Sequence, residues 1–400
     1  MGADPFLAIS AENSPSLQAL RQPLNSYRIM GVKNNIPFLG GAVGFMSYDP
    51  GLGVPEWFFA FYNSAVIIDH LKKKLHIFSC GFPEKKLRLQ RLLAEENFKK
   101  MEGMLSTRKG TLSYRTQADY LESVPYLPRG LKSSFTRQKY IAAVKRAKEH
   151  IRKGDIYQVN LSQQFSAKTR LAAPEIYRRL RSLSPAYYNA YFDAGDFQIL
   201  SSSPEMFLSL HKNKVTTRPM KGTRPRGESR PKDLRLKNEL LRSAKDKAEL
   251  MMITDLERND LGKVCAYESI KVDKLRELEK YNTVFQTTAT ISGRLHKDND
   301  RIDLLSACFP GGSITGCPKI RAMEVIKELE PQKRSIYTGA LGYLSFTEDM
   351  EFNILIRTIL KKDGKIYFGS GGGIVADSDP QAEYEETLIK AKAMIEAING

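Results

Sequence analysis

Cysteine is scarce and unpaired in this chain. Its four cysteines, Cys80, Cys265, Cys308 and Cys317, form no C-x-x-C pair, and none stands near a plausible histidine partner. That excludes a disulfide framework and a zinc finger, and fits reduced thiols in a cytoplasmic protein. No apolar run approaches the roughly 18 residues a membrane span needs. The opening, MGADPFLAIS, has no positive n-region and carries Asp4 and Pro5 early, so neither a signal peptide nor a membrane partner is expected. Helix-turn-helix and RNP-type signatures are missing, as are internal repeats and low-complexity tracts. The G-x-G-x-x-G and G-K-[ST] patterns of nucleotide sites are also absent, which discounts ATP.

What the chain has in excess is positive charge. Lys and Arg total 62 against 45 Asp and Glu, a net +17 and a pI near 9.5. Nucleic acid binding is the first alternative such a balance raises, but the basic residues are dispersed, with only short clusters such as LKKK and PEKK. Dispersed charge serves solubility, and it also draws in a small polyanion. We expect no nucleic acid partner. With 42% hydrophobic and 27% charged residues in 400, the chain is globular and can bury one very large core or two ordinary ones.

Residues 1–125 are strand-rich. FLGGAVGFMSYD (38–49), WFFAFYN (57–63), AVIIDH (65–70) and KLHIFSC (74–80) carry the β signal, and a helix stopping at Gly103 follows. Residues 103–135, with Pro125 and Pro128, lack periodicity and are the candidate linker. A second region, 136–395, opens with Thr136 as cap of a helix whose Tyr140, Val144, Ala147 and Ile151 share a face, ended by Gly154. DIYQVNLSQQFSA then alternates, Tyr157, Val159 and Leu161 against Gln158, Asn160 and Ser162. Helices over 233–258, 318–330 and 380–397 alternate with strands over 197–210, 337–346, 352–360 and 365–370.

Four constellations could carry chemistry. Asp246 and Glu249 lie three apart on one helix, and Glu383 and Glu386 repeat the spacing near the start of another. Acids in a first turn complement the helix dipole; two such pairs could instead converge on a hard cation, for which Mg²⁺ is suited. SGGGIVADSDPQ (370–381) ends a strand with Gly371, Gly372 and Gly373, either a plain turn or an anion-binding nest. FPGGSITGCPKIRAMEVIKELE sets Ser313 and Thr315 on a loop leading into a helix that begins near Pro318. Finally SSSPEMF and RPMKGTRPRG bring Glu205 and Lys221 to segments one hairpin apart. With two prolines and two glycines about it in TTRPMKGTRPRG, Lys221 can belong to neither an ordinary helix nor a central strand.

In this order the segments DIYQVNLSQQF, SSSPEMF, RPMKGTRPRG, AKDKAELMMITDLERNDLG, FPGGSITGCPKIRAMEVI, YTGALGYLSF, MEFNILIRT and FGSGGGIVADSDPQAEYEET resemble the chorismate-utilising enzymes. These include anthranilate synthase component I, aminodeoxychorismate synthase component I, and the isochorismate and salicylate synthases. The resemblance implies an α+β fold of large antiparallel sheets in a sandwich-like core with helices outside. It implies Glu249 and Glu386 as Mg²⁺ ligands, with Asp246 and Glu383 supporting the metal's waters at chorismate's ring carboxylate. Tyr337, Arg357 and the 371–373 glycines would hold the enolpyruvyl carboxylate, with Ser313 and Thr315 nearby.

Two positions separate the members. Isochorismate and salicylate synthases have a lysine base where this chain has Gln158, so water is not the expected nucleophile. Anthranilate synthases read PIAGT where this chain reads PMKGT, and the lysine form marks aminodeoxychorismate synthase component I. Lys221 is then the expected nucleophile at C2 and Glu205 the general acid. The amine must be neutral to attack, and Arg218, Arg224 and Arg226 would favour that form by like-charge repulsion. Gln286 replaces a histidine linked to aromatisation in anthranilate synthases, in keeping with a product that keeps its pyruvyl group. The N-terminal region looks shortened against the family, and no claim of tryptophan regulation follows. No glutaminase elbow is present, so ammonia is expected from a separate glutamine amidotransferase subunit, and no lyase domain follows residue 395. Anthranilate synthesis, a non-catalytic scaffold subunit and nucleic acid binding are the competing readings.

Overall fold

The computed structural model of the protein describes residues 2, 4–12, 14, 16–31, 36–106, 130–281 and 284–399. Two antiparallel sheets make its centre. Along the larger lie Leu7–Ser10, Trp57–Tyr62, Gly41–Met46, Ala340–Ser345, Met350–Ile354, Met206–His211, Lys214–Arg218, Val284–Arg294 and Met220–Pro225, with Lys271–Lys280 also paired to Val284–Arg294. The smaller orders Gly316–Cys317, Gln158–Lys168, Lys365–Ile374, Thr358–Lys362, Phe197–Ser203 and Tyr188–Asp193, with Lys132–Ser133 beside Gln158–Lys168. Strands from the first hundred residues thus share a sheet with strands from the last quarter.

Alternating apolar residues put one core between the sheets and others outside them. Between them Phe45 and Leu341 meet Phe192, Phe197, Ile199 and Leu360. Phe45 stands edge-on to Phe192 and Phe197, centroids 5.9 and 5.7 Å away, the geometry aromatic quadrupoles favour. Outside the larger sheet, helices Ala244–Gly262 and Arg301–Cys308 bury Leu250, Leu261, Ile302 and Leu305 with Val215, Ile291 and Phe352. Outside the smaller, Ala173–Leu183 and Pro380–Ile398 cover Phe165, Leu200 and Ile359, while Arg137–Arg152 and Lys319–Leu329 cover Val159 and Leu161. The expected α+β sandwich with outer helices is the observed one. No helix among the described residues is long and apolar enough to cross a membrane.

Several boundaries differ from the sequence reading. The helix expected over 233–258 is two, Arg230–Arg242 and Ala244–Gly262, hinged at Ser243. Ser243 ends one helix and caps the other, its Oγ accepting from the Asp246 N–H at 3.1 Å, because a serine side chain competes well for orphan helix donors. The strand expected over 197–210 breaks at Pro204 and Glu205, and the one over 352–360 breaks around Arg357. The helix expected to stop at Gly103 continues to Ser106. Residues 107–129 of the candidate linker, with Pro125 and Pro128, lie outside the described residues. Thr136 caps its helix as expected, accepting from the Lys139 N–H at 3.3 Å. Tyr157 departs from its expected face: it precedes the strand and is 70% exposed, while both faces beyond it are buried.

Candidate active site

Lys221 sits on Met220–Pro225, an edge strand paired only with Val284–Arg294, which is where its flanking prolines allow a strand. Between Lys221 and Thr223 the register slips by one residue. Gly222 takes up the bulge with φ +75°, a left-handed conformation that costs an ordinary residue about 1–2 kcal/mol. A side chain there would also meet Leu240 Cδ1 at 2.8 Å. The bulge turns Lys221 toward a cavity of about 830 Å³, where its Nζ donates to the Ser313 carbonyl at 3.2 Å.

Glu205 borders the same cavity and is 5% exposed, so a surface ion pair is ruled out. It precedes Met206–His211, whose partner Lys214–Arg218 runs on through Pro219 into the Lys221 strand, both pairing with Val284–Arg294. Burial pushes the Glu205 carboxyl above its ordinary value. Four groups pull back: the Ser313 hydroxyl, which makes no hydrogen bond of good geometry, the Lys221 ammonium, the Met220 backbone N–H and, last, the Lys390 ammonium.

The four helix acids converge. Asp246, Glu249, Glu383 and Glu386 all line the cavity. Burial, then the proximity of Asp246 and Glu386, raises the Glu249 carboxyl despite Lys221 and Lys245. Glu383 is raised by burial and by Glu386, while Glu386 is lowered, chiefly by Lys390. Lysines sit on these acids, Lys390 on Glu386 at 2.6 Å and Lys245 on Glu383 at 3.6 Å. Among the described residues no three His, Cys, Asp or Glu side chains are gathered closely enough to hold a metal ion by themselves. Mg²⁺ asks for less, one or two carboxylates and waters. A bare backbone completes the cradle: a Cβ at Gly372 would lie 3.1 Å from Glu383 Oε2 and 3.3 Å from Glu386 Oε1. Two carboxylate oxygens over a bare glycine, with two further acids on the cavity wall, would suit a hard cation.

The remaining predicted residues divide. Ser313, Tyr337, Arg357, Gly371 and Gly373 line the cavity; Thr315 and Gly372 do not. Thr315 is fully buried, and its hydroxyl donates to the Gly311 carbonyl at 2.9 Å, so it shapes the loop. Arg357 takes φ +49° between two strands, a strain of about 1–3 kcal/mol, and its Nη1 donates to Ser184 Oγ at 3.3 Å. Burial pushes the Tyr337 hydroxyl well above its ordinary value, which keeps it a neutral donor. Its ring lies where a side chain of Gly369 would be.

Two expectations need correcting. Gly371–Gly373 form no nest after the strand: they belong to Lys365–Ile374, pair with Asn160–Ser162, and none has positive φ. Their partner Thr358–Lys362 stops at Phe368, so the opposite edge opens on the cavity, and Lys390 Nζ donates to the Gly371 carbonyl at 3.1 Å. A Cβ on Gly373 would collide with Gln158 Nε2 and lie 3.6 Å from Lys221 Nζ. Likewise the arginines near Lys221 are each committed to carboxylates. Arg218 pairs with Glu279, Arg224 with Glu239 at 2.7 Å and Asp246 at 3.4 Å, and Arg226 with Asp233 at 2.7 Å. They supply no unbalanced charge to repel the amine.

Asn160, Lys245 and Lys390 also line the cavity and escaped the sequence reading as site residues. Lys245–Glu249 and Glu386–Lys390 each have i,i+4 spacing, a signal available in the sequence. Gln286 lies on the wall too, its Nε2 donating to Thr223 Oγ1 at 3.2 Å.

Known proteins are similar to this chain in sequence and fold. The profile of the chorismate binding enzyme family matches residues 2–396. Aminodeoxychorismate synthase component 1 of Bacillus subtilis is 36% identical over 376 residues, covering 90% of this chain and 77% of that protein. Anthranilate synthase component 1 of Thermus thermophilus is 37% identical over 376 residues, covering 90% and 78%. The solved structure of anthranilate synthase component I from Streptococcus pneumoniae superposes with a TM-score of 0.84 at 32% identity, covering 99% of this chain and 91% of that one.

Proposed function

The chain belongs to the chorismate binding enzyme family, and from that membership we propose that it replaces the 4-hydroxyl of chorismate with ammonia to give 4-amino-4-deoxychorismate. It is a chorismate-utilising enzyme of the anthranilate and aminodeoxychorismate synthase type. The observation that carries the finer reading is one amine, Lys221, turned by a bulge into the cavity that also holds a buried carboxyl, Glu205, and four acids.

Neutral Lys221 attacks C2 of the ring. The C1–C2 π pair shifts to C1–C6, the C5–C6 pair shifts to C4–C5, and hydroxide leaves C4, taking the Glu205 proton to become water. The new C2–N bond carries an ammonium that loses one proton. Ammonia then adds at C4 and both π pairs move back. The lysine nitrogen takes a proton back from Glu205 as it leaves C2 as a free amine, while the new C4 ammonium gives one up to restore the acid. The sum is chorismate plus ammonia to aminated product plus water. Burial of Glu205 supports its part, because a general acid must hold its proton near neutral pH.

Chorismate is a dianion and needs two anion sites. Arg357, the Tyr337 and Ser313 hydroxyls and the open strand edge at Gly371–Gly373 suit the enolpyruvyl carboxylate. Mg²⁺ held by Glu249 and Glu386, with Asp246 and Glu383 on its waters, would supply hard positive charge for the ring carboxylate. Ammonia would come from a separate glutamine amidotransferase subunit, with ammonium able to replace it in vitro, and the product would feed p-aminobenzoate and folate synthesis.

A second reading is amination at C2 with loss of pyruvate, giving anthranilate. It is favoured by an identity to anthranilate synthase component 1, 37%, as high as that to aminodeoxychorismate synthase component 1, 36%. Mass spectrometry of acid-quenched enzyme incubated with chorismate separates the two. A Lys221 peptide heavier by chorismate less water is expected, with none in Lys221→Ala; an adduct surviving that substitution places the covalent chemistry on another residue.

A further inference from the structure

Behind Glu205 lies a second buried carboxyl that the proposed reaction does not use. Glu257, on helix Ala244–Gly262, is 8% exposed and borders no part of the cavity. Its Oε2 lies 2.8 Å from Thr217 Oγ1, and that same hydroxyl lies 2.7 Å from the Phe207 carbonyl oxygen. A threonine hydroxyl has one proton, and a carbonyl oxygen can only accept. Thr217 can therefore donate to only one of Phe207 and Glu257, and both contacts are hydrogen bonds together only if Thr217 donates to Phe207 while a protonated Glu257 donates to Thr217. An ionised Glu257 would instead take the threonine proton and leave the Phe207 carbonyl against an unprotonated hydroxyl oxygen in a dry site.

The charges around it agree. Glu205 faces Glu257 from the segment before Met206–His211, and Asp260 from its own helix; Lys319 and the Cys308 thiol face it from the neighbouring helices. Lys319 cannot serve as its counterion, since its three donors go to Asp260, the Cys308 carbonyl at 3.0 Å and the Pro310 carbonyl at 2.6 Å. Burial first, with Glu205 and Asp260 assisting and Thr217 and Lys319 offsetting only part of it, lifts Glu257 to about 8.

We propose that Glu257 is a positioning residue held as a neutral carboxylic acid, donating to Thr217 and fixing the strand junction behind Glu205 without adding a second negative charge there. This rests on the proposed role of Glu205 as proton donor. Thr217 belongs to the strand that runs on into Lys221, and Phe207 lies two residues after Glu205, so the Glu257–Thr217–Phe207 chain ties both proposed catalytic segments to one helix. An ionised Glu257 would break that chain and raise the charge load on Glu205 together.

The test reads the proton directly. Infrared difference spectra of the resting full-length protein, wild type against Glu257→Gln, should show a buried protonated carboxyl band at neutral pH that fades as pH rises through about 8. Glu257→Gln keeps a neutral donor, so its chorismate turnover should stay within roughly threefold of wild type, whereas Glu257→Ala, which removes the donor to Thr217, should lose roughly tenfold or more. The glutamine variant should also lose the alkaline limb of the pH profile that Glu257 ionisation imposes. Absence of the band, or a glutamine variant as impaired as the alanine one, overturns the proposal. Because the band is read without substrate, a band present in a protein that aminates nothing would count against the proposed function and leave the protonated Glu257 standing.

Discussion

Lys221 and Glu205 owe their proposed roles to neighbours more than to their own residue types. The amine reaches the cavity because Gly222 bends its strand, and burial raises the carboxyl because Ser313, Lys221, Met220 and Lys390 offset only part of it. Lys221→Ala should lower 4-amination on the order of a thousandfold or more while leaving the fold intact, measured by product formation beside circular dichroism. Glu205→Gln should cost roughly 10²–10⁴ in kcat. The sign of the pH dependence follows from the acid role: Glu205 works protonated, so the rate is full below its raised value and falls as pH rises through it. The glutamine variant loses that limb. Glu257 carries a stability signature of the same kind. Its folded value, about 8, lies above its ordinary 4.5, so its contribution is full below 4.5 and is lost as pH rises through about 8. Unfolding free energies measured across that interval should decline in wild type and flatten in Glu257→Gln. At this scale the sequence was informative where a residue type was out of place: a lysine among prolines, a glutamate after a proline. It was silent on Glu257 because nothing in LERND distinguishes a buried acid from a surface one. It misled over the three arginines, whose carboxylate partners lie as far as 61 residues away along the chain.

Among the elements, turns and breaks place the site while regular structure supports it. The Ser243 hinge sets Asp246 in a first turn facing Arg224, and the Gly222 bulge sets Lys221. Gly222→Ala should destabilise by about 1–2 kcal/mol from the left-handed backbone alone, and lower turnover further by moving Lys221, as denaturant melts and kinetics would show. The loop bearing Ser313 has its own anchor. Arg334, 2% exposed, pairs with Glu330 at 2.7 Å and donates to the Ile314 carbonyl at 2.9 Å and the Asn160 carbonyl at 2.7 Å. Arg334→Met leaves Glu330 buried and unpaired and should cost about 3–5 kcal/mol, with much of the loss recovered in the double variant with Glu330→Gln. Helices with a clear cap, such as the one at Thr136, were legible from sequence. Breaks at Ser243, Pro204 and Arg357 were not, because periodicity carries across a hinge that one side chain creates. The glycines 371–373 pointed to the right place for the wrong reason: they keep a strand bare so that carboxylates and an amine can approach it.

For the whole molecule, the sandwich is a frame that brings two distant helices to one cavity. Asp246 and Glu249 come from a helix outside the larger sheet and Glu383 and Glu386 from one outside the smaller, and all four line the cavity. The layered α+β architecture was legible because alternating apolar strands and one-faced helices allow few other arrangements. Which strands pair was not, since Gly41–Met46 finds Ala340–Ser345 across some 300 residues with no local signal. The net charge of +17 suits attraction of a small dianion, so turnover at low chorismate should weaken as ionic strength rises. If the acids bind Mg²⁺ together with chorismate, adding both at about a hundredfold over their dissociation constants should stabilise the fold by about 2.7 kcal/mol for each, and chelation should reverse the metal's share. The most direct test of the central claim is the product itself, from enzyme given chorismate, Mg²⁺ and ammonium with no other protein. Mass spectrometry should find 4-amino-4-deoxychorismate with its pyruvyl group retained; fluorescent anthranilate and free pyruvate would contradict amination at C4.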